Sequence, residues 1–273
     1  MRYILLFIAI FTFSCKYNIS SPVGTIKDYS ANSGKLFYTS SDSSADDIET
    51  TLKKNKHSLG KYLIKVSPTN DKSTAILTNI KAALNKNPYF NNVEIDLSLT
   101  EIPEIPKEMF TNTTNLGKIT LPDTVTNIDT NAFSGCSSLS YIRFSGSLTN
   151  IGESAFSNCS ALTVLLLPDG LKTIEKCAFS GCSSLKDLFF PASLTSIGSN
   201  AFSNCIKLVN LEYAGTNSSS LSSSNNLFSS SSYPTNLYLP NVETGKTNEF
   251  NTNCFLGKND WKITKGHIPF ENK

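Results

Sequence analysis

Cys136, Cys159, Cys182 and Cys205 stand 23 residues apart. Thiols at a fixed spacing could ligate a metal, pair as disulfides or act as nucleophiles. A straight column cannot wrap a tetrahedral ion, and neither of the two histidines lies near these cysteines in sequence, which argues against a metal site. Stacked repeats would bring neighbouring Cα atoms within bridging range, but side chains in a column point the same way, and Thr113 continues the series with no thiol to offer. The spacing therefore predicts buried free thiols. Cys177, where other units have Asn or Ser, is the expected exposed thiol, and Cys254 has no assignment. His57 and His267 fall near the two ends with no nucleophile motif beside them, and Asp46 and Asp47 read as a helix start or tether rather than an acid/base pair. No Gly-rich phosphate loop or H-E-x-x-H appears. The expectation is no enzyme, no metal and no cofactor.

The surroundings of the cysteines say what they are for. "AFSGCSSL" begins at Ala132 and again at Ala178, with "AFSNCSAL" at Ala155 and "AFSNCIKL" at Ala201. An enzyme site is built once, so a device written four times reads as architecture. Phe133, Phe156, Phe179 and Phe202 keep the same step, as do Leu139, Leu162, Leu185 and Leu208, and Ile128, Ile151, Ile174 and Ile197. One step earlier Ile105, Phe110 and Leu116 hold the register. One step later it survives a three-residue insertion in the run Ser218 to Ser224, reaching Phe228, Leu237 and Leu239.

Each unit has two halves. "LGKITLP", "LSYIRFS", "LTVLLLP", "LKDLFFP" and "LVNLEYA" end in a period-two alternation that predicts a short strand with one buried face. "DTNAFSGCSS" predicts a turn or a single helical turn. No unit could bury its own Leu, Ile and Phe, whereas parallel strands stacked about 4.8 Å apart would enclose a continuous core. The fold class predicted is an α/β repeat solenoid of leucine-rich repeats with a parallel concave sheet. In this scheme Ala fits close backbone packing, Phe fills the core and Cys acts as a small hydrophobe.

The unit Leu-x-x-Ile-x-Leu-Pro, then Ile, then Ala-Phe-x-x-Cys, closely resembles the BspA-type (treponemal-type) leucine-rich repeat of bacterial surface proteins, over roughly residues 93 to 240. The resemblance implies a non-enzymatic, protein-binding role in adhesion to host matrix or host cells. The binding residues expected from the geometry are strand side chains that face away from the core. One column runs Lys118, Tyr141, Val164, Asp187, Asn210, and the other Thr120, Arg143, Leu166, Phe189, Glu212. Tyr141, Val164, Leu166 and Phe189 would form an apolar patch edged by Arg143, Asp187 and Glu212, the composition of an interaction site. The opposing expectation is that side chains on a regular sheet cover one another, or that a terminal segment folds over them.

The remainder divides into ends and address. "KYLIKVS" predicts a strand, with Tyr62, Ile64 and Val66 alternating. "STAILTNIKAALNKNP" predicts a helix with Ile76, Ile80, Ala83 and Leu84 on one face, capped by Ser73 and ended by Pro88. A second short helix would carry Ile48 and Leu52, and a helix and strand around Trp261 and Ile263 would close the far end. Residues 46–92 read as an N-terminal cap and 241–273 as a C-terminal cap, with a separate binding domain the alternative for the former. At the start, Arg2, an apolar run from Tyr3 to Phe13, then Ser14 and Cys15 have the pattern of a bacterial lipoprotein signal, departing from it where Thr12 replaces the usual Leu. Residues 1–14 would be removed, Cys15 lipidated, and residues 15–45 would form a flexible tether to the membrane, the alternatives being an ordinary cleaved signal or an uncleaved anchor. The net charge of +2, with no basic block, excludes nucleic acid on electrostatic grounds. The expected location is the bacterial cell surface, the membrane being reached through the lipid; the alternative is a periplasm-facing envelope scaffold.

Overall fold

The burial that one unit cannot achieve alone is achieved here by stacking. The structure is a computed structural model and describes residues 35–223, 226–229, 234–243, 245–252, 255–258 and 260–269. Residues 1–34, with Cys15 and the expected signal, lie outside the described residues, as does Cys254.

In chain order the elements open with α1 (Ala45–Leu59), β1 (Leu63–Lys65), α2 (Ala75–Lys86) and β2 (Val93–Asp96). The chain then alternates between two ladders: β3 (Glu104–Ile105), β4 (Leu116–Thr120), β5 (Asn127–Ile128), β6 (Tyr141–Arg143), β7 (Asn150–Ile151) and β8 (Val164–Leu166). It continues through β9 (Thr173–Ile174), β10 (Asp187–Phe190), β11 (Ser196–Ile197), β12 (Asn210–Tyr213), β13 (Ser222–Ser223) and β14 (Asn236–Tyr238). A short α3 (Glu249–Thr252), a 3-10 turn and β15 (Lys262–Thr264) complete it.

All pairing is parallel. The concave ladder orders its strands β1-β2-β4-β6 and β8-β10-β12-β14-β15, and the opposite ladder runs β3-β5-β7-β9-β11-β13. Register partners such as Lys118 and Tyr141, or Asn127 and Asn150, are 23 residues apart. Beyond the Ser-rich insertion the step is 26, as at Asn210 with Asn236. β1 pairs with β2, so the predicted N-terminal strand is itself a rung of the ladder.

The phenylalanines form a spine between the ladders. Phe133 and Phe156 lie 5.0 Å apart at 7°, Phe156 and Phe179 5.2 Å apart at 2°, and each is fully buried. The insertion disturbs this order: Phe202 and Phe228 are 6.1 Å apart and tilted by 33°.

The turn half of each unit is also laddered. The Phe133 N–H donates to the Ala155 carbonyl at 2.7 Å, and Phe156 donates to Ala178 at the same distance. In the other direction the Cys159 thiol donates to the Phe133 carbonyl at 3.2 Å, and Cys136 donates to Phe110 at 3.0 Å. The cysteine is therefore more than the small hydrophobe expected from its type, since its thiol donates to a spine carbonyl. Thr113 stands at the first position of that column, and its buried hydroxyl has no partner. One unit back from Phe110 the chain is at Asn87, at the end of α2, whose carbonyl already accepts from Phe90 N and the Asn115 side chain.

The variable residue before each cysteine follows a rule of its own. Asn112, Gly135, Asn158, Gly181 and Asn204 all have positive φ, between 56° and 76°. Asn and Gly are the residues that enter this region most readily. They alternate because a Cβ on Gly135 would overlap Oδ1 of Asn112, and one on Gly181 would overlap Oδ1 of Asn158. The packing unit in this column is thus a pair of repeats.

At the N-terminal end Ser44 caps α1, accepting from Asp47 N at 3.3 Å while the Asp47 carboxylate accepts from Ser44 N at 3.1 Å. Asp47 is therefore part of a helix start, and the helix behind it, 15 residues long, exceeds the short one expected. Ser73 does not cap α2. The N-cap is Thr74, with φ −88° and ψ 6°, and Ser73 instead accepts from Ala75 N at 3.1 Å, two residues on, in a local turn. The Asn115 side chain donates to the Leu84 carbonyl at 3.0 Å, tying the last turn of α2 to the first full repeat.

Two stability predictions follow from these columns. Gly135→Ala should destabilise by at least ~1–2 kcal/mol, the left-handed penalty, with the overlap adding to it. In the double variant Asn112→Ala/Gly135→Ala the overlap disappears, so chemical denaturation should show the two changes to be less than additive. Thr113→Val should stabilise by about 1 kcal/mol by removing an unsatisfied buried hydroxyl, seen as a higher denaturation midpoint.

Candidate functional site

Strand pleating sends alternate side chains of the concave ladder outward, and the observed registers align them in the two expected columns. At the N-terminal end acidic and basic residues of this face form ion pairs. Lys65 is paired with Asp96, and Glu94 lies between Lys61 at 2.5 Å and Lys118 at 3.3 Å. Burial pushes the Glu94 carboxyl up, but the hydrogen bonds and charge of Lys61 and Lys118 more than offset this and hold it below its ordinary value.

Toward the C-terminal end the column is an amide ladder. Asn236 donates to Asn210 Oδ1 at 2.7 Å, and Asn210 donates to Asp187 at 2.6 Å. Asp187 and Phe189 are half-buried there. Glu212 does not edge the patch, contrary to the expectation of an open rim. It is 8% exposed, its carboxylate bonding to His267 Nδ1 at 2.6 Å and accepting from Ile268 N at 2.8 Å. The chain after β15 turns back across β14 to reach it, so a terminal segment covers this part of the face. His267 serves that closure.

The middle of the face differs from both ends. β6 and β8 belong to separate sheets, so the concave ladder is interrupted between them. The core beneath is slightly open: Ile142 is 9% exposed, and Phe144 and Leu167 8% each, whereas Ile119, Leu121 and Leu188 are completely buried. Above it stand Tyr141, Val164 and Leu166, 49%, 39% and 53% exposed. These residues, with Arg143, Pro168 and Asp169, line a groove of about 380 Å³. Arg143 is held at its edge by Asp123, 3.3 Å away. Of the seven residues expected to form the patch, the structure gathers Tyr141, Arg143, Val164 and Leu166 around this groove.

A second depression, of about 390 Å³, adjoins the first and was not legible in the sequence. Its lining includes Lys56, Lys61, Tyr62, Asn92, Lys118 and Ser140, with Glu94. Glu94 and Lys118 are register partners, and Ser140 lies one 23-residue step beyond Gly117, which also lines the depression. Lys56, Lys61, Tyr62 and Asn92 come from the end of α1 and the segments leading into β1 and β2, where no common period marks them.

Among the described residues no group of His, Cys, Asp and Glu is arranged to hold a metal ion. The four column cysteines are buried, and Cys177 is half-buried. Burial pushes the Cys136 and Cys205 thiols up to about 12, and those of Cys159 and Cys182 well above the ordinary range. Thiols held protonated in this way are poor nucleophiles. Cys177 has φ 56°, in a column of positive-φ residues with Asn131, Ser154 and Asn200, which is why those units use Asn or Ser.

The parallel ladders, the 23-residue step and the Phe spine define a leucine-rich-repeat solenoid. The family model described as the BspA type leucine rich repeat region matches in six copies, over residues 103–233 and 161–271. The chain belongs to the BspA-type leucine-rich-repeat family. Its members are typically non-enzymatic, and leucine-rich-repeat proteins generally bind proteins. Among solved structures the chain is similar to a leucine-rich-repeat protein of T. pallidum, with 32% identity and a TM-score of 0.43 over 44% of this chain and 57% of that one. It is also similar to a leucine-rich cell surface protein of Faecalibacterium prausnitzii, with 33% identity and a TM-score of 0.47 over 50% of this chain and 36% of that one. The pneumococcal vaccine antigen PcpA shares the fold, at 20% identity and a TM-score of 0.52, over 65% of this chain and 42% of that one. The chain thus spans well under two thirds of the length of each. No curated protein matches it.

The thiol environments predict a selective reaction. Alkylation of the native protein with iodoacetamide, followed by peptide mass mapping, should label Cys177 and spare Cys136, Cys159, Cys182 and Cys205 until denaturant is added. Rapid native labelling of any column cysteine would contradict the burial described.

Proposed function

We propose that this chain is a bacterial surface lipoprotein that binds protein ligands through its concave ladder and acts in adhesion to host matrix or host cells. The observation that carries the binding role is the interruption between β6 and β8, with Tyr141, Val164 and Leu166 exposed above a groove whose floor reaches the core. Exposed apolar side chains rimmed by Arg and Asp have the make-up of an interaction centre rather than of a solvated sheet. The pattern Ser14–Cys15 after an apolar run supports a lipid anchor, which would hold the solenoid at a membrane without a spanning helix. No described helix is long and apolar enough to cross one.

The test is binding of the chain lacking residues 1–14 to a panel of immobilised matrix proteins. Saturable binding should weaken about thirtyfold in Leu166→Asp, the loss of roughly 2 kcal/mol expected at an interface centre. Because Leu166 is exposed, the variant should keep the parent's circular dichroism and melting behaviour. Protease treatment of intact cells should remove the protein from the surface. A protein shielded from protease would overturn adhesion in favour of an envelope scaffold facing the periplasm.

A further inference from the structure

The two depressions on the concave face are not independent. Ser140 lines the basic one and Tyr141, the next residue, lines the apolar one. Lys118 and Tyr141 are register partners on adjacent strands, so the lysine and the first apolar side chain are about 4.8 Å apart at the backbone. We propose that the two depressions form one composite site for an extended polypeptide segment that carries a carboxylate about three residues from an apolar anchor. The proposal rests on the protein-binding reading above and names the chemistry of the partner.

The charge distribution selects the acidic end. The basic depression sets Lys56, Lys61 and Lys118 against the single carboxylate of Glu94. The neighbouring cations are already matched, Arg143 by Asp123 and Lys65 by Asp96. A partner carboxylate laid here meets a local excess of ammonium groups, with Lys56 steadied over the Tyr62 ring at 5.1 Å from its centre. The opposite orientation is disfavoured, because a carboxylate in the apolar groove would lie beside Asp169 and displace no water from Tyr141, Val164 or Leu166. The same groove favours an apolar anchor over a glycan, since Ile142, Phe144, Val164, Leu166, Leu167 and Pro168 outnumber its hydrogen-bonding side chains, Tyr141, Arg143 and Asp169.

The geometry sets the spacing. From the Lys118 rung to the Val164 rung is one paired strand separation, about 4.8 Å, plus the unpaired step from β6 to β8, on the order of 10 Å in all, which an extended chain crosses in roughly three residues at about 3.3 Å each. An interrupted ladder suits such a segment, because the partner's side chains can enter where the core is slightly open.

The experiment selects peptides from a random linear display library on the immobilised full chain, then measures individual synthetic peptides by fluorescence anisotropy. The expected result is enrichment of sequences with Asp or Glu about three residues from an aromatic or aliphatic side chain. Lys56→Ala and Lys118→Ala should each weaken such peptides about two- to fivefold at low salt. The effect should shrink as salt is added and vanish for the peptide in which the acidic residue is replaced by its amide. Enriched peptides without an acidic residue, or lysine effects unchanged by that replacement, would overturn the composite site while leaving the concave-face reading intact. Binding of every peptide that is indifferent to Leu166→Asp would instead overturn the concave-face reading itself. Heparin binding that depends on the lysines but not on Leu166 would mark a simple polyanion site and also overturn the proposal, as would a selection that enriches nothing.

Discussion

The parallel hydrogen-bonded stacking of one unit on the next is the interaction on which the rest of this molecule depends. It fixes the rise per unit near the spacing at which two aromatic rings stack, and the Phe spine follows with rings 5.0 to 5.4 Å apart from Phe110 to Phe202. The same rise brings each Ala carbonyl to the N–H of the Phe in the unit before, and each Phe carbonyl to the thiol of the unit after. Ala-Phe-x-x-Cys is therefore a set of complementary surfaces that can be satisfied only by a copy of itself. No unit is stable alone, and cohesion is collective.

A structure built this way is least satisfied where the copying stops. At the N-terminal end Thr113 buries a hydroxyl without an acceptor, while Asn115 leaves the pattern to bond the end of α2. At the other end the register lengthens to 26, the spine tilts, and Tyr213 with Phe250, Phe255 and Trp261 replaces the regular aliphatic core. The last described residues then return over the sheet to bury Glu212 beneath His267 and Ile268. These are two different ways of ending one ladder, a helix at the start and an irregular segment folded back after β15 at the finish.

The binding face is what remains after the ends have satisfied themselves. Ion pairs occupy the first rungs of the concave ladder and an amide ladder the later ones. Between them the sheet is interrupted and the outward residues are apolar, so the place best suited to a partner is also the place where stacking is weakest. The lysine-lined depression beside it adds charge at one end and gives the face a direction. Regularity thus positions the site, and a local lapse in regularity opens it.

The repeat was legible because period is a property of sequence. Phe133, Cys136, Leu139 and their counterparts announce the solenoid, the parallel ladder and the buried thiols before any coordinate is known, and the alternation in "YIR" and "VLL" shows which side chains face outward. The meaning of the Asn–Gly alternation at 112, 135, 158, 181 and 204 was not legible, because it depends on a positive φ and on the overlap of an Asn side chain with a missing Cβ one unit away. Nor was the interruption between β6 and β8, whose residues fit the pattern as well as their neighbours do. The burial of Glu212 and the gathering of Lys56, Lys61 and Lys118 likewise join positions far apart in the chain with no shared period. Sequence alone determined the repeating unit and its faces, since these follow from residue type at a fixed step. Only the tertiary structure decided which part of the face stays open, because that depends on how the two unlike ends fold back and on where the stack fails to close.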